Sequence, residues 1–232
     1  MRRPEAAMLQ WARERWFSVK EHLFLRRYDN RADRFGAIYA KRIWQNPESA
    51  SGFGSTLAAT AQLRRGLEEL VEEEAIETIL DAPCGDYNWQ SRMRIDADYT
   101  GIDIVPDLIA ENTARHGSAR VAFAVADLVE DDLPGANLVL CRECLNHLPL
   151  GDAIRALDNV AGAARRFLLV THYPDCSSNT EQAASFRFRR LNLTLPPFNL
   201  RAPDGFIDEG DYEAGKQVAI WRLEAGPLRA RH

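Results

Sequence analysis

Past residue 75 the sequence alternates between short apolar runs and longer stretches of helical periodicity, and no other feature constrains the fold as strongly. The runs 78–82, 99–104, 121–126, 137–142, 167–172 and 217–223 have strand length, and helices are expected at 105–115 and 151–165 between them. A parallel strand reaches its partner only through a crossover, so strands that alternate with helices point to a parallel sheet. The expected architecture is an α/β, Rossmann-like, doubly wound and mainly parallel sheet with helices on both faces. The run KQVAIWRL follows the last such unit and reads as an antiparallel strand inserted at the end.

Upstream, helices are expected at 5–25, at 31–44 after the Asp29-Asn30 turn signal, and at 56–74, where Leu57, Leu63, Leu67 and Leu70 lie along one side. The Gly- and Ser-rich stretch 46–55 between them reads as a loop. The chain thus divides into an N-terminal helical segment, 1–47, and a larger domain, 48–232. The first segment carries eleven Lys or Arg against five Asp or Glu, although the whole chain has a net charge of −5. A basic arm can signal a nucleic-acid partner. Here the charges are interleaved with Trp11, Trp16, Phe17, Leu23, Phe24, Tyr28, Phe35, Tyr39 and Trp44, which argues for amphipathic helices that cap a site or form a homodimer face instead. No apolar run approaches the roughly 18 residues of a membrane span, and no apolar leader follows the first residues. Cys84, Cys141, Cys144 and Cys176 are too few for a disulfide framework, and a reduced cytoplasm is the expected location.

The segment ETILDAPCGDYNW carries the strongest local signal. An apolar strand runs into Asp81, then into a Pro83-Cys84-Gly85 turn, and ligands of doubly wound sheets bind at the carboxyl ends of strands. Gly85 lets a backbone or ligand approach where a Cβ would obstruct it. A dinucleotide fingerprint needs three spaced glycines and a P-loop needs Gly-Lys-Ser/Thr; neither is present, and Asp86 would repel phosphate. An S-adenosylmethionine site carries no phosphate and tolerates one glycine among acids. Asp103 ends the second strand about 20 residues after the glycine turn, where a carboxylate can accept from both ribose hydroxyls. Asp127 ends the third strand, where a carboxylate can accept the adenine amine.

These segments, together with ESASGFGSTL (48–57), GIDIVPDLIAEN (101–112), CRECLNHL (141–148) and LNLTLPPF (191–198), resemble those of a bacterial group of class I S-adenosylmethionine-dependent methyltransferases. The resemblance covers roughly residues 44–223. It implies a seven-stranded sheet ending in an antiparallel hairpin, and methyl transfer from S-adenosylmethionine. Carried over motif by motif, Asp81, Gly85 and Asp103 would contact the cofactor, Ile104 and Leu128 would sandwich adenine, and Asp127 would sit on its edge. Gly54 and Ser55 belong to the loop that would fold over the methionine end. Pro83, Cys84, Asn88, Trp89 and Cys141 complete the candidate cofactor contacts.

Methyl transfer to a hydroxyl needs alignment, exclusion of water and a proton acceptor. His147, just past the fourth strand, is the first candidate base, against a purely packing role. Arg142 and Glu143 either orient the acceptor or pair with each other. His172 is a second base candidate, with Tyr173 beside it, and Tyr87 and Trp89 could offer an aromatic face to the sulfonium. Glu48 and Asp86, with Glu143 or Asp127, could hold a divalent ion such as Mg²⁺, though the sequence does not require a metal. The Cys141-x-x-Cys144 pair lacks further ligands nearby and reads as buried thiols rather than a zinc site.

Residues 174–201 mix aromatic rings with planar donors: Phe186, Arg187, Arg189, Arg190, Asn192 and Phe198. That mixture suits a small hydroxylated acceptor such as a saccharide, or else a basic helix exposed on one face. The function that results is O-methylation of a small, sugar-like acceptor. The alternatives are methylation of a protein, a nucleic acid or an amine-bearing metabolite, and a non-enzymatic module that keeps only the fold.

Overall fold

Every apolar run becomes a strand of one sheet in the computed structural model, which describes residues 28, 30–44, 46–181 and 188–229. The strands are β1 (Thr78–Asp81), β2 (Asp98–Asp103), β3 (Val121–Val125), β4 (Ala136–Cys141), β5 (Ala164–His172), β6 (Gly205–Asp208) and β7 (Gln217–Arg222). Their order is β3-β2-β1-β4-β5-β7-β6. The pairs among β1 to β5 are parallel, and β7 lies antiparallel between β5 and β6. The order runs outward from β1 in both directions, so the crevice between β1 and β4 is a topological switch point. β6 was not foreseen. Its four residues, GFID, alternate half-buried and exposed on the sheet edge, too short a pattern to stand out from a loop.

Side-chain alternation on β4 shows how the sheet makes two cores. Leu138 and Leu140 face α2 (Ala61–Glu73), which buries Leu63, Leu67, Leu70 and Val71. Val139 and Cys141 face the other layer, with α4 (Leu150–Ala163), Leu157, Val160 and Trp221. α3 (Pro106–His116) starts with Pro106 in its first turn, where a missing N–H costs nothing.

The helix ends differ from expectation for backbone reasons. α1 (Arg31–Ala40) is capped by the Asn30 side chain on the Asp33 N–H, and it stops short of Trp44. Arg42 turns left-handed at φ 48°, and the Ile43 N–H reaches back to the Ile38 carbonyl. α2 ends by the same device, with Ala75 at φ 47° and the Ile76 N–H on the Val71 carbonyl. It also starts at Ala61 rather than Thr56, because residues 57–60 form turns. α4 passes directly into β5 at Ala164, so Arg165 is a strand residue. The expected helix at 5–25 lies outside the described residues, among which no helix is long and apolar enough to cross a membrane.

Candidate active site

The carboxyl ends of β1, β2 and β4 open into a cleft of about 260 Å³. Beyond β1, the Ala82 N–H bonds the Leu140 carbonyl and the Cys84 N–H bonds the Ile102 carbonyl, so both neighbouring strands hold the turn. Asn112 of α3 donates to the Gly85 carbonyl at 2.8 Å. Gly85 is left-handed at φ 58°, and a Cβ there would lie 2.4 Å from Ser51 Oγ. The close approach that needs a glycine is thus made by the loop 46–55.

Asp86 fixes that loop. Its carboxylate accepts from Ser49 Oγ, the Ala50 N–H and Ser51 Oγ, while its own N–H donates to Ser51 Oγ. Glu48 accepts from the Leu57 N–H and from Asn88, which also donates to the Ser55 carbonyl. Asn88 therefore braces the loop and does not line the cleft. The carboxylates considered for a metal are engaged in holding chain segments, and no three His, Cys, Asp or Glu gather as a metal would need among the described residues.

Three acids reach the cleft in three different states. Asp81 is buried, accepting from Tyr99 Oη at 2.6 Å and Gln90 at 2.8 Å on one oxygen. Its other oxygen, Oδ1, is buried and meets no donor among the described residues. Asp103 accepts the Val105 N–H at 3.1 Å and the Gly85 N–H at 3.3 Å. Burial, the largest influence on each, pushes both carboxyls up to about 6. Asp127 is held by Arg31 of α1 at 2.8 Å. Ile104 and Leu128 line the cleft beside them.

At the end of β4, Arg142 and Glu209 form a buried ion pair at 2.6 Å, and Arg142 also donates to the Gly54 carbonyl. Lys216, fully buried, lies 3.2 Å from Glu143 and 3.7 Å from Glu209. Two cations and two carboxylates thus balance. Burial opposes ionisation of Glu143, but Lys216, Arg142 and His147 together outweigh it and hold its carboxyl below the ordinary range. Lys216 and Asn146 approach Glu143 Oε1, while Oε2 faces the Gly54 side of the cleft. Arg142 and Glu143 do not pair with each other; each has a partner from the β6–β7 hairpin. His147 lines the cleft between the rings of Trp44, at 5.9 Å, and Phe188, at 6.2 Å.

The cleft brings together most of the expected residues: Gly54, Ser55, Asp81, Pro83, Cys84 and Gly85, with Trp89, Asp103, Asp127, Arg142, Glu143 and His147. Others fall elsewhere. Cys141 is in the core, and Cys141 and Cys144 are free thiols. Tyr87 packs with Tyr99 and Phe123 away from the cleft, while Trp89 is covered by the Arg142 guanidinium at 5.7 Å. His172 is buried behind the sheet end. Its Nδ1 accepts the Leu193 N–H, and burial pushes it down to about 4. Tyr173 is buried and donates to Glu213. Arg189 donates to the Leu148 carbonyl, Asn192 is spent on the carbonyls of Pro174 and Cys176, and Phe198 is in the core. Residues 182–187, with Phe186 and Arg187, lie outside the described residues.

The sequence reading missed Arg31, Phe53, Gln90 and Phe188, and it left Phe35 and Tyr39 between a cap and a dimer face; Arg31, Phe35 and Tyr39 line the cleft from one face of α1 at helical spacing. The interleaving of aromatic and basic residues in 31–44 was the available signal. Glu209 and Lys216 gave none, because only the hairpin brings them to β4.

No family model matches the chain, and no characterised relative matches it in sequence. Solved structures do. The N-methyltransferase NodS from Bradyrhizobium japonicum WM9, in complex with S-adenosyl-L-homocysteine, aligns with a TM-score of 0.58 at 14% identity, over 79% of this chain and 97% of that one. The 1,6-didemethyltoxoflavin-N1-methyltransferase of Burkholderia thailandensis aligns with a TM-score of 0.57 at 17% identity, over 82% and 86%. The magnesium protoporphyrin IX methyltransferase of Synechocystis PCC 6803 gives 0.54 at 14% identity, over 81% and 94%. The chain has the Rossmann-like fold of the class I methyltransferases.

Proposed function

We propose that this chain transfers a methyl group from S-adenosylmethionine to a hydroxyl of a small acceptor. The observation that carries the reading is the pair Asp81 and Asp103. They are buried carboxylates at the ends of adjacent strands, facing one cleft, and Asp81 Oδ1 has no donor among the described residues. A buried carboxylate oxygen left unpaired costs stability unless a ligand satisfies it, and the amino group of S-adenosylmethionine supplies a cationic donor. Asp103 would hold the ribose hydroxyls, and Ile104 and Leu128 would flank the adenine.

When bound, S-adenosylmethionine supplies a methyl group on a cationic sulfur, open to in-line displacement. The chain's own part is alignment and proton removal. Arg142, fixed by Glu209, holds the Gly54 carbonyl and so the loop over the cleft. His147 takes the acceptor's hydroxyl proton at a ring nitrogen. Glu143 Oε2 orients that hydroxyl as an ionised acceptor, and α1 with Trp44 caps the site against water. Of the six residues behind the saccharide reading, Arg189 and Asn192 donate to carbonyls of their own chain, Arg190 pairs with Asp175 and Glu213, Phe198 is in the core, and Phe186 and Arg187 lie outside the described residues. The four free thiols suit a reducing compartment.

Calorimetric titration with S-adenosylmethionine and S-adenosylhomocysteine tests the reading. Micromolar binding that Asp103→Ala weakens by about tenfold or more, about 1.4 kcal/mol, supports it. No binding of either compound to the wild-type chain sinks it.

A further inference from the structure

The acceptor end of the cleft has an unusual balance of rings and donors. Trp44, His147 and Phe188 form a continuous run of ring faces, with centroids 5.9 and 6.2 Å apart. Phe53 stands on the loop side of the same cleft, and both outer rings are open: Phe53 is 58% exposed and Phe188 44%. Large apolar side chains left exposed around a cleft mark a surface that a ligand covers.

The planar donors nearest Glu143 are already engaged. The Arg142 guanidinium is spent on Glu209 and the Gly54 carbonyl, and Asn146 is turned to Glu143. Beside them an acceptor, Glu143 Oε2, faces the Gly54 side of the cleft. A polyhydroxylated sugar is held best by planar side-chain donors, and here those are turned away while the rings stay open. A cationic acceptor is not called for either, because Lys216 and Arg142 already balance Glu143 and Glu209.

We infer that the acceptor is a planar aromatic molecule carrying a phenolic hydroxyl, stacked against Phe188 and Trp44 with its O–H directed to Glu143 and His147. This rests on the methyl-transfer reading and names its substrate class. Proton chemistry favours the same choice. A phenol ionises near 10 and imidazole near 6.5, a gap of about 3.5, whereas an alkyl hydroxyl ionises far higher, close to water.

The full-length chain saturated with S-adenosylhomocysteine is titrated calorimetrically with 2-naphthol and, separately, with methyl β-glucopyranoside. The naphthol is expected to bind and the glucoside not. Phe188→Ala and Glu143→Gln are each expected to weaken naphthol binding by about fivefold or more, and Phe206→Ala, an exposed ring on the edge strand β6, to leave it unchanged. Glucoside binding without naphthol binding overturns the inference. So does naphthol binding that is indifferent to both cleft variants, or equally sensitive to Phe206→Ala. The S-adenosylhomocysteine titration is read first. Its failure overturns the cofactor reading, whereas its success with a failed naphthol arm overturns the acceptor class alone.

Discussion

Arg31 and Asp127 meet at 2.8 Å although 96 positions separate them, and the same guanidinium reaches Glu130 and Asp152 at 3.0 Å each. One side chain thus ties α1 to the end of β3 and to the first turn of α4. The clasp lies at the rim of the cleft, about four-fifths buried at both Arg31 and Asp127.

Because the clasp is electrostatic and partly solvated, salt weakens it. The dissociation rate of S-adenosylhomocysteine is expected to rise with ionic strength in the wild-type chain. In Arg31→Ala it should be several-fold faster at low salt and nearly salt-independent. Stopped-flow dissociation measures this. Equal rates for the two proteins would mean that α1 does not restrain the ligand.

Asp81 and Asp103 sit near 6 in the folded chain, above the ordinary carboxylate range. A raised carboxyl holds its proton in the fold between about 3.8 and 6, so burying the charge costs stability above that window and not below it. A cationic ligand needs the charged form. Cofactor affinity is therefore expected to be flat above pH 7 and to fall by up to about tenfold per pH unit per carboxyl below 6. Calorimetry from pH 5 to 8 reads it, and Asp81→Asn should flatten the fall while lowering affinity throughout.

Breaking the buried Arg142–Glu209 pair from one side leaves a charge without its partner. Glu209→Gln is expected to destabilise the chain by about 3–5 kcal/mol. Urea denaturation measures this. A loss below about 1 kcal/mol would mean that Lys216 and Glu143 re-pair around the gap.

Asp86→Ala removes a carboxylate that accepts from three loop donors. Hydrogen bonds to a charged group contribute about 1.5–3 kcal/mol. S-adenosylhomocysteine affinity should fall by about tenfold or more with little change in melting temperature, since the loss is confined to the loop. An unchanged affinity would show the loop to be irrelevant to the ligand.

His147→Ala is expected to lower methyl transfer to a phenolic acceptor by about 10²–10⁴-fold without changing S-adenosylhomocysteine affinity. Its pH–rate profile should also lose the limb due to imidazole. Retained activity would return His147 to a packing role.

What the sequence made legible was local. Apolar runs bounded by turns marked six of the seven strands. The motif around Gly85 marked the switch-point turn, and Asp81 and Asp103 followed from their places at strand ends. What stayed hidden depended on contacts between distant segments. Arg31 looks like any basic helix residue until Asp127 is beside it, and Glu209 and Lys216 are surface-type residues that become buried only when the hairpin folds against β4. Composition was a weaker guide at 174–201. Arginine, asparagine and phenylalanine there suit a sugar wall, but composition says nothing of direction, and Arg189 and Asn192 are turned to carbonyls of their own chain. Asp86, read as hostile to phosphate, also grips the loop over the cleft.

The partners of Arg142 and Glu143 come from the hairpin, near the end of the chain. A ribosome that has released only the first 200 residues has delivered β1 to β5, with the glycine turn and its acids, but neither Glu209 nor Lys216. Such a fragment keeps Arg142 and Glu143 in its cleft, each without the hairpin partner that fixes its direction. The acceptor half of the pocket thus cannot settle before the last two strands dock, and a truncated product is marked by those two unanchored side chains rather than by any missing cofactor contact.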